Sequence, residues 1–237
     1  MRILALDSSG MVATVAVIED DNLLVEYTMN YKKTHSQTLL PMLDEICQRI
    51  ELDLQTIDAI AIASGPGSFT GLRIGAATAK GLGLALCKPI VSVPTIEGLA
   101  YNLFGTTAVI CPLMDARRNQ VYTGLYVFNH GKMECLQEQQ ALSIDCIIER
   151  INEIGQEVIF LGDGVPVYKD RIAEKIKVSY QFAPAHLSKQ RAGAIGVLGG
   201  IYYKEGRIED AREHKPEYLR MSQAERERLE KQNKEQV

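Results

Sequence analysis

The chain has 237 residues, 46% of them hydrophobic and 24% charged, a globular composition with room for one large domain or two small ones. A net charge of −4 argues against a nucleic acid gripped by this chain alone. The 5 cysteines are scattered without Cys-x-x-Cys spacing, and the 4 histidines lie far apart, so neither a disulfide framework nor a local metal motif is expected.

Reduced thiols point to a cytoplasmic location. No signal peptide or membrane span is expected, because the chain enters a strand at once and no apolar run is long enough. Arg2–Leu6, Val12–Ile18 and Leu23–Thr28 read as strands of an opening meander. The first turn, Asp7-Ser8-Ser9-Gly10, is acidic and rich in hydroxyls. Asp7 reads equally as a catalytic or metal-positioning carboxylate and as a turn residue bonded to its own backbone. Thr34-x-x-Gln37 fits a capping box, and Leu39, Leu40, Leu43, Ile46, Cys47 and Ile50 follow helical spacing. Pro41 predicts a bend or a late start in that helix, and His35 reads as a surface or capping residue near its entry.

A strand over Ile57–Ala63 leads into Ser64-Gly65-Pro66-Gly67-Ser68-Phe69-Thr70-Gly71-Leu72-Arg73-Ile74-Gly75. Gly65 and Gly67 suit the positive φ of a sharp strand-to-helix turn, and Ser68 or Thr70 suits the cap of the next helix, Thr70–Leu86. The stretch fails both phosphate-loop patterns. Gly71 is followed by Leu72-Arg73, not the Lys-Ser/Thr of a Walker loop, and Thr70 stands where a dinucleotide fingerprint needs Gly. Gly71, Gly75, Ala79 and Gly83 line one helix face, a stripe that suits close packing within the chain or at a subunit interface.

Beyond this helix come a strand at Ile90–Val93 and a helix at Ile96–Phe104, and Gly105-Thr106-Thr107 reads as a seam. The plan then begins again. Strands at Ala108–Met114, Val121–Phe128 and Met133–Glu138 precede a helix at Ile144–Ile154, a strand at Glu157–Leu161 and the turn Gly162-Asp163-Gly164. A small-residue helix over Ala192–Tyr203, an irregular return over Asp210–Leu219 and a mixed-charge tail over Ser222–Val237 end the chain. The expected domains are 1–104 with a return over 190–220, then 105–189, then a tail at 221–237.

Leu6-Asp7-Ser8-Ser9, the glycine stretch, Met114-Asp115-Ala116-Arg117-Arg118 and Pro216-Glu217-Tyr218-Leu219-Arg220 together resemble the TsaB (YeaZ) family, over nearly the whole chain short of the tail. That family is the bacterial partner subunit in making threonylcarbamoyladenosine (t6A) on tRNA, next to the anticodon. The resemblance implies an α/β fold of the actin/chaperone/sugar-kinase (ASKHA) superfold, with two duplicated sheet-plus-helix domains and a degenerate active site. In the TsaD pattern, a His-x-x-x-His pair binds metal. Thr95 and Leu99 take those positions here, and Leu cannot ligate a metal at all. Where TsaD carries a glycine-rich phosphate cradle, this chain has Asp115-Ala116-Arg117-Arg118-Asn119, whose carboxylate would repel a triphosphate.

The resemblance therefore implies a non-catalytic subunit, with no catalytic, cofactor-binding or metal residues of its own. Its partners would be a TsaD-type transferase and a TsaE-type ATPase. It would form a homodimer when alone, meet tRNA only through the complex and have no membrane contact. Nucleotide would bind, if at all, at the interface with the TsaD-type partner. Pairing is expected through the first two helices, at Ser36, Leu39, Leu40, Leu43, Phe69, Leu72, Gly75, Ala76 and Ala79. The rival readings are an ASKHA-type phosphotransferase organised by Asp7 with Gly162-Asp163-Gly164 touching nucleotide, a metallopeptidase, and a plain dimerisation module.

Overall fold

The structure is a computed structural model that describes residues 1–31 and 34–220. Its first unit runs β1 (Arg2–Asp7), β2 (Ala13–Glu19), β3 (Asn22–Met29), α1 (His35–Arg49), β4 (Ala59–Gly65), α2 (Phe69–Leu86), β5 (Ile90–Pro94) and α3 (Thr95–Tyr101). The second runs β6 (Val109–Asp115), β7 (Gln120–Asn129), β8 (Lys132–Ser143), α4 (Ile144–Ile154), β9 (Val158–Leu161), α5 (Val165–Lys175), β10 (Tyr180–Phe182) and α6 (Ala192–Lys204). The expected charged tail lies outside the described residues. Among the described residues no helix is long and apolar enough to cross a membrane.

Each unit forms one 5-stranded sheet, ordered β3-β2-β1-β4-β5 and β10-β9-β6-β7-β8. Counted within its own unit, the second order is the first repeated. The pairings repeat too: two antiparallel ladders from the meander, then two parallel ones. The echo read in the sequence is thus complete once α5 and β10 are added, two elements the reading passed over. The omission has a local cause. Only Tyr168 and Ile172 of α5 are buried, and β10 is 3 residues long, so neither carries a clear apolar period.

Strand alternation sends side chains to opposite faces, and both faces of both sheets are covered. Leu4 and Leu6 join Leu39, Met42, Leu43 and Ile46 of α1 in one core, while Ile3 and Ala5 join Ile195, Leu198 and Tyr202 of α6 in another. In the second unit, Ile147, Ile148 and Ile151 of α4 cover Val109, Cys111 and Leu113. Ile96, Leu99 and Ala100 of α3 cover Ile110, Met114 and Tyr126. The last helix of each unit therefore packs across the seam, α3 on the second sheet and α6 on the first.

The segment after α6 returns to the first sheet. Ile90 and Glu209 exchange backbone hydrogen bonds of 3.0 and 2.9 Å, and Ala211 enters the first core. The Glu217 N–H donates to Ser64 O at 2.7 Å.

The start of α1 departs from expectation in two respects. Thr34 is the N-cap of α1, but its side chain makes no capping bond, so the capping box is not formed. Pro41 sits inside α1 on its exposed side, and the helix begins at His35 without a late start.

Candidate functional site: the glycine turn and the outer helices

The turn from β4 into α2 is packed backbone to backbone against the tip of the first hairpin. Gly65 has φ +128°, open to glycine alone, and a Cβ there would meet Glu217 O at 2.2 Å. Gly67 departs from expectation. It is not among the positive-φ residues, and its requirement is steric, since a Cβ would lie 2.3 Å from Ser9 O. A Cβ on Gly71 would lie 2.0 Å from Ser8 O, and one on Gly75 would lie 2.5 Å from Ser8 Oγ. Ser68 is the cap of α2, its Oγ accepting the Gly71 N–H at 3.3 Å, while Thr70 is exposed. The Ser68 N–H donates to Ser9 O at 2.7 Å and Ser8 Oγ–H donates to Gly71 O at 2.9 Å. The first turn of α2 is thus packed against the chain's own hairpin.

Asp7 is 1% exposed, and its Oδ1 accepts both the Ser9 N–H at 2.8 Å and the Ser9 hydroxyl at 2.6 Å. Its turn role is therefore filled. Burial pushes the Asp7 carboxyl up to about 6, against the lowering effect of the Ser9 bonds and of nearby His35. His35 pins the same tip: its Nε2–H donates to Gly10 O at 2.8 Å, the carbonyl partner fixing the tautomer. On the other side stands Gln190, 2% exposed, its amide within 2.7 Å of the Cβ position of Gly10. The sequence carries no local signal for Gln190, which reaches the tip from the start of α6.

In the second unit the equivalent turn is closed by carboxylates. Arg117, Arg118 and Asn119 all adopt left-handed φ, at 61°, 55° and 57°. The Arg117 N–H donates to Asp115 Oδ1 at 2.9 Å, and the Asp115 N–H donates to Asp163 Oδ1 at 3.0 Å. Burial raises the Asp163 carboxyl above its usual range, and the Asp115 charge adds to the rise. Gly162 and Gly164 pack on β6, where a Cβ would meet Leu113 O at 2.1 and 3.0 Å. Thr95 is fully buried with its hydroxyl accepting the Gly65 N–H at 3.1 Å, and Leu99 lies in the core between α3 and the second sheet.

The nine interface positions divide. Leu39, Leu43, Leu72, Ala76 and Ala79 are buried within the chain, at 1, 4, 3, 5 and 0% exposure, and Gly75 faces Ser8. Leu39, Leu43 and Ala79 belong to the core that ties α1 and α2 to the first sheet. The small-residue stripe is intramolecular, ending with Gly83 against Ala211. Ser36 is exposed, Leu40 is 54% exposed and Phe69 is half-buried. The structure adds a neighbour the sequence reading missed. Tyr218 stacks on Phe69 with centroids 4.4 Å apart and planes 2° apart, and Arg73 Nε donates to the Tyr218 hydroxyl at 3.2 Å.

Two sheets of one strand order and the exchanged helices define a member of the ASKHA superfold, in which the turn N–H groups of Ser9, Asp115 and Arg117 are taken by carboxylates of the chain itself. The model of the family TsaD, tRNA N6-adenosine threonylcarbamoyltransferase, matches residues 22–228. The chain is 33% identical, over 98% of its own length and 100% of the other, to the tRNA threonylcarbamoyladenosine biosynthesis protein TsaB of Bacillus subtilis. It is 32% identical to TsaB of Escherichia coli over 72% of this chain and 74% of that one. The solved structure of YeaZ from Pseudomonas aeruginosa superposes with a TM-score of 0.76 at 25% identity, covering 92% of this chain and 99% of the other. The chain belongs to the TsaB (YeaZ) family, which takes part in t6A biosynthesis on tRNA.

Proposed function

We propose that the chain is a non-catalytic partner subunit of the t6A machinery, pairing with a TsaD-type transferase and working with a TsaE-type ATPase. The observation that carries this reading is the closed second turn, where the Asp115 and Arg117 N–H groups donate to carboxylates of the chain itself. A phosphate would have to displace those carboxylates and then face their charge. Thr95 and Leu99, in place of a ligand pair, support the same conclusion. The pairing surface is the outer face of α1 and α2, now restricted to Ser36, Leu40 and Phe69 with Arg73 beside them. The same face would close a homodimer when the chain is alone, in the cytoplasm, and tRNA would be met through the complex.

The test is light scattering during size exclusion on this chain alone and mixed with the TsaD-type subunit of the same cell. The expected result is a monomer or homodimer that gives way to a heteromeric species. Absence of any complex, with and without ATP and the TsaE-type ATPase, would overturn the pairing. Nucleotide titration of the isolated chain then separates the phosphotransferase reading, which requires saturable ATP binding without a partner.

A further inference from the structure

On the flank where β5 and α3 of the first unit meet β7 and β8 of the second lies a cavity of about 350 Å³, at the small end of ligand sites. It is separate from the hairpin tip and the glycine turn's helix face. Its polar lining comes from Glu97, Tyr126, Glu138, Gln139, Arg207 and Glu217. We propose that this cavity binds a small organic dication, a diamine or polyamine, between its carboxylates.

Two side-chain oxygens are presented there without partners. Tyr126 is 3% exposed, lines the cavity, and its hydroxyl has no hydrogen-bond partner among the described residues. The buried Oε1 of Gln139 also lacks a partner, while its amide donates to Gly65 O at 3.2 Å and to Glu217 Oε2 at 3.0 Å. Those two bonds fix which end of the amide is the free acceptor. Both groups can accept a hydrogen bond from an ammonium.

The charge balance points the same way. Three carboxylates share the lining with one guanidinium. Among the described residues none of Glu97, Glu138 and Glu217 forms an ion pair. Arg207 lies over the Tyr202 ring, 3.4 Å from its centroid, and its carboxylate neighbour is Glu205 at 3.7 Å. Glu97 accepts from the Tyr202 hydroxyl, and burial, with Glu138 nearby, holds its carboxyl above the usual range. Glu97 is half-buried without an ion-pair partner, and the exposed charges of Glu138 and Glu217 crowd the same mouth, so a bound cation relieves both its burial and the repulsion. The ligand's shape follows from the spread of these groups. Among the described residues no three His, Cys, Asp or Glu side chains gather closely enough to hold one metal ion. A single compact divalent ion cannot span them, whereas a flexible chain with an ammonium at each end can.

The experiment is isothermal titration of the full chain with putrescine and spermidine at fixed ionic strength, with methylamine and Mg²⁺ as controls. It needs no partner subunit, so its outcome is independent of the pairing reading. Saturable putrescine or spermidine binding is expected. Glu138→Gln, at an exposed site with no internal bond, should weaken it about tenfold, the scale of one charge-assisted contact. Tyr126→Phe, checked for native circular dichroism, should weaken it about threefold. Glu45→Gln on the far α1 surface should leave it unchanged. The proposal is overturned if neither amine binds, if methylamine or Mg²⁺ binds as tightly, or if Glu138→Gln and Tyr126→Phe both bind like the wild type.

Discussion

Asp7 shows how one buried carboxylate ties the first hairpin to pH. Its folded-state value, raised to about 6 from 3.8, means the native state binds the proton more tightly than the unfolded chain. Stability from this group is therefore full below about pH 4, falls as pH rises toward 6, and stays lower above it. The loss is on the order of 3 kcal/mol, from about two pH units. Asp7→Asn keeps an acceptor for Ser9 and should flatten this part of the profile, measured by urea unfolding from pH 4 to 7. An unchanged slope would contradict the assignment. Glycines supply a second residue-scale prediction. Gly71→Ala drives a methyl into Ser8 O and should lower stability by about 2 kcal/mol or more. Gly81, with nothing within 4 Å of its Cβ position, should gain up to about 1 kcal/mol as Ala. Gly75→Leu, which a partner-facing stripe would tolerate in the monomer, should instead unfold it against Ser8 and Ile62.

At the scale of elements, α6 is held to the edge of the first sheet by one carboxylate. Glu26 of β3 accepts the Gly193 N–H at 2.8 Å and pairs with Arg191 at 2.5 Å, its side chain only 11% exposed. Glu26→Ala would leave a helix-terminal N–H and a half-buried guanidinium unpaired, a cost of about 2 to 3 kcal/mol by thermal or denaturant unfolding. The outer face of α1 behaves differently. Leu40→Asp touches neither core, so melting should change little while mixing with the TsaD-type subunit yields no complex. Retained pairing would remove Leu40 from the interface.

On the scale of the whole molecule, the exchange of α3 and α6 makes the two units interdependent. Without α6 the face bearing Ile3, Ala5, Ala61 and Val93 would be open to water. Residues 1–104 expressed alone should therefore fail to fold or should aggregate, read by near-UV circular dichroism and light scattering. A cooperative melt from that fragment would show that the exchange is not essential.

The duplicated plan and the glycine turn were legible in the sequence, because strand alternation and turn residues are local properties. Local order also located α1 and α2, within a residue at the start of α2. It did not decide which way α2 faces. A stripe of Gly and Ala fits equally against a partner helix or a backbone of the same chain, and only the approach of Ser8 and Ala211 chose the second. The same limit hid Gln190 beside Gly10, Tyr218 on Phe69 and the partnerless groups of the flank cavity. These residues come from distant parts of the chain, and their meeting depends on how the two sheets and their exchanged helices pack, which no local pattern encodes.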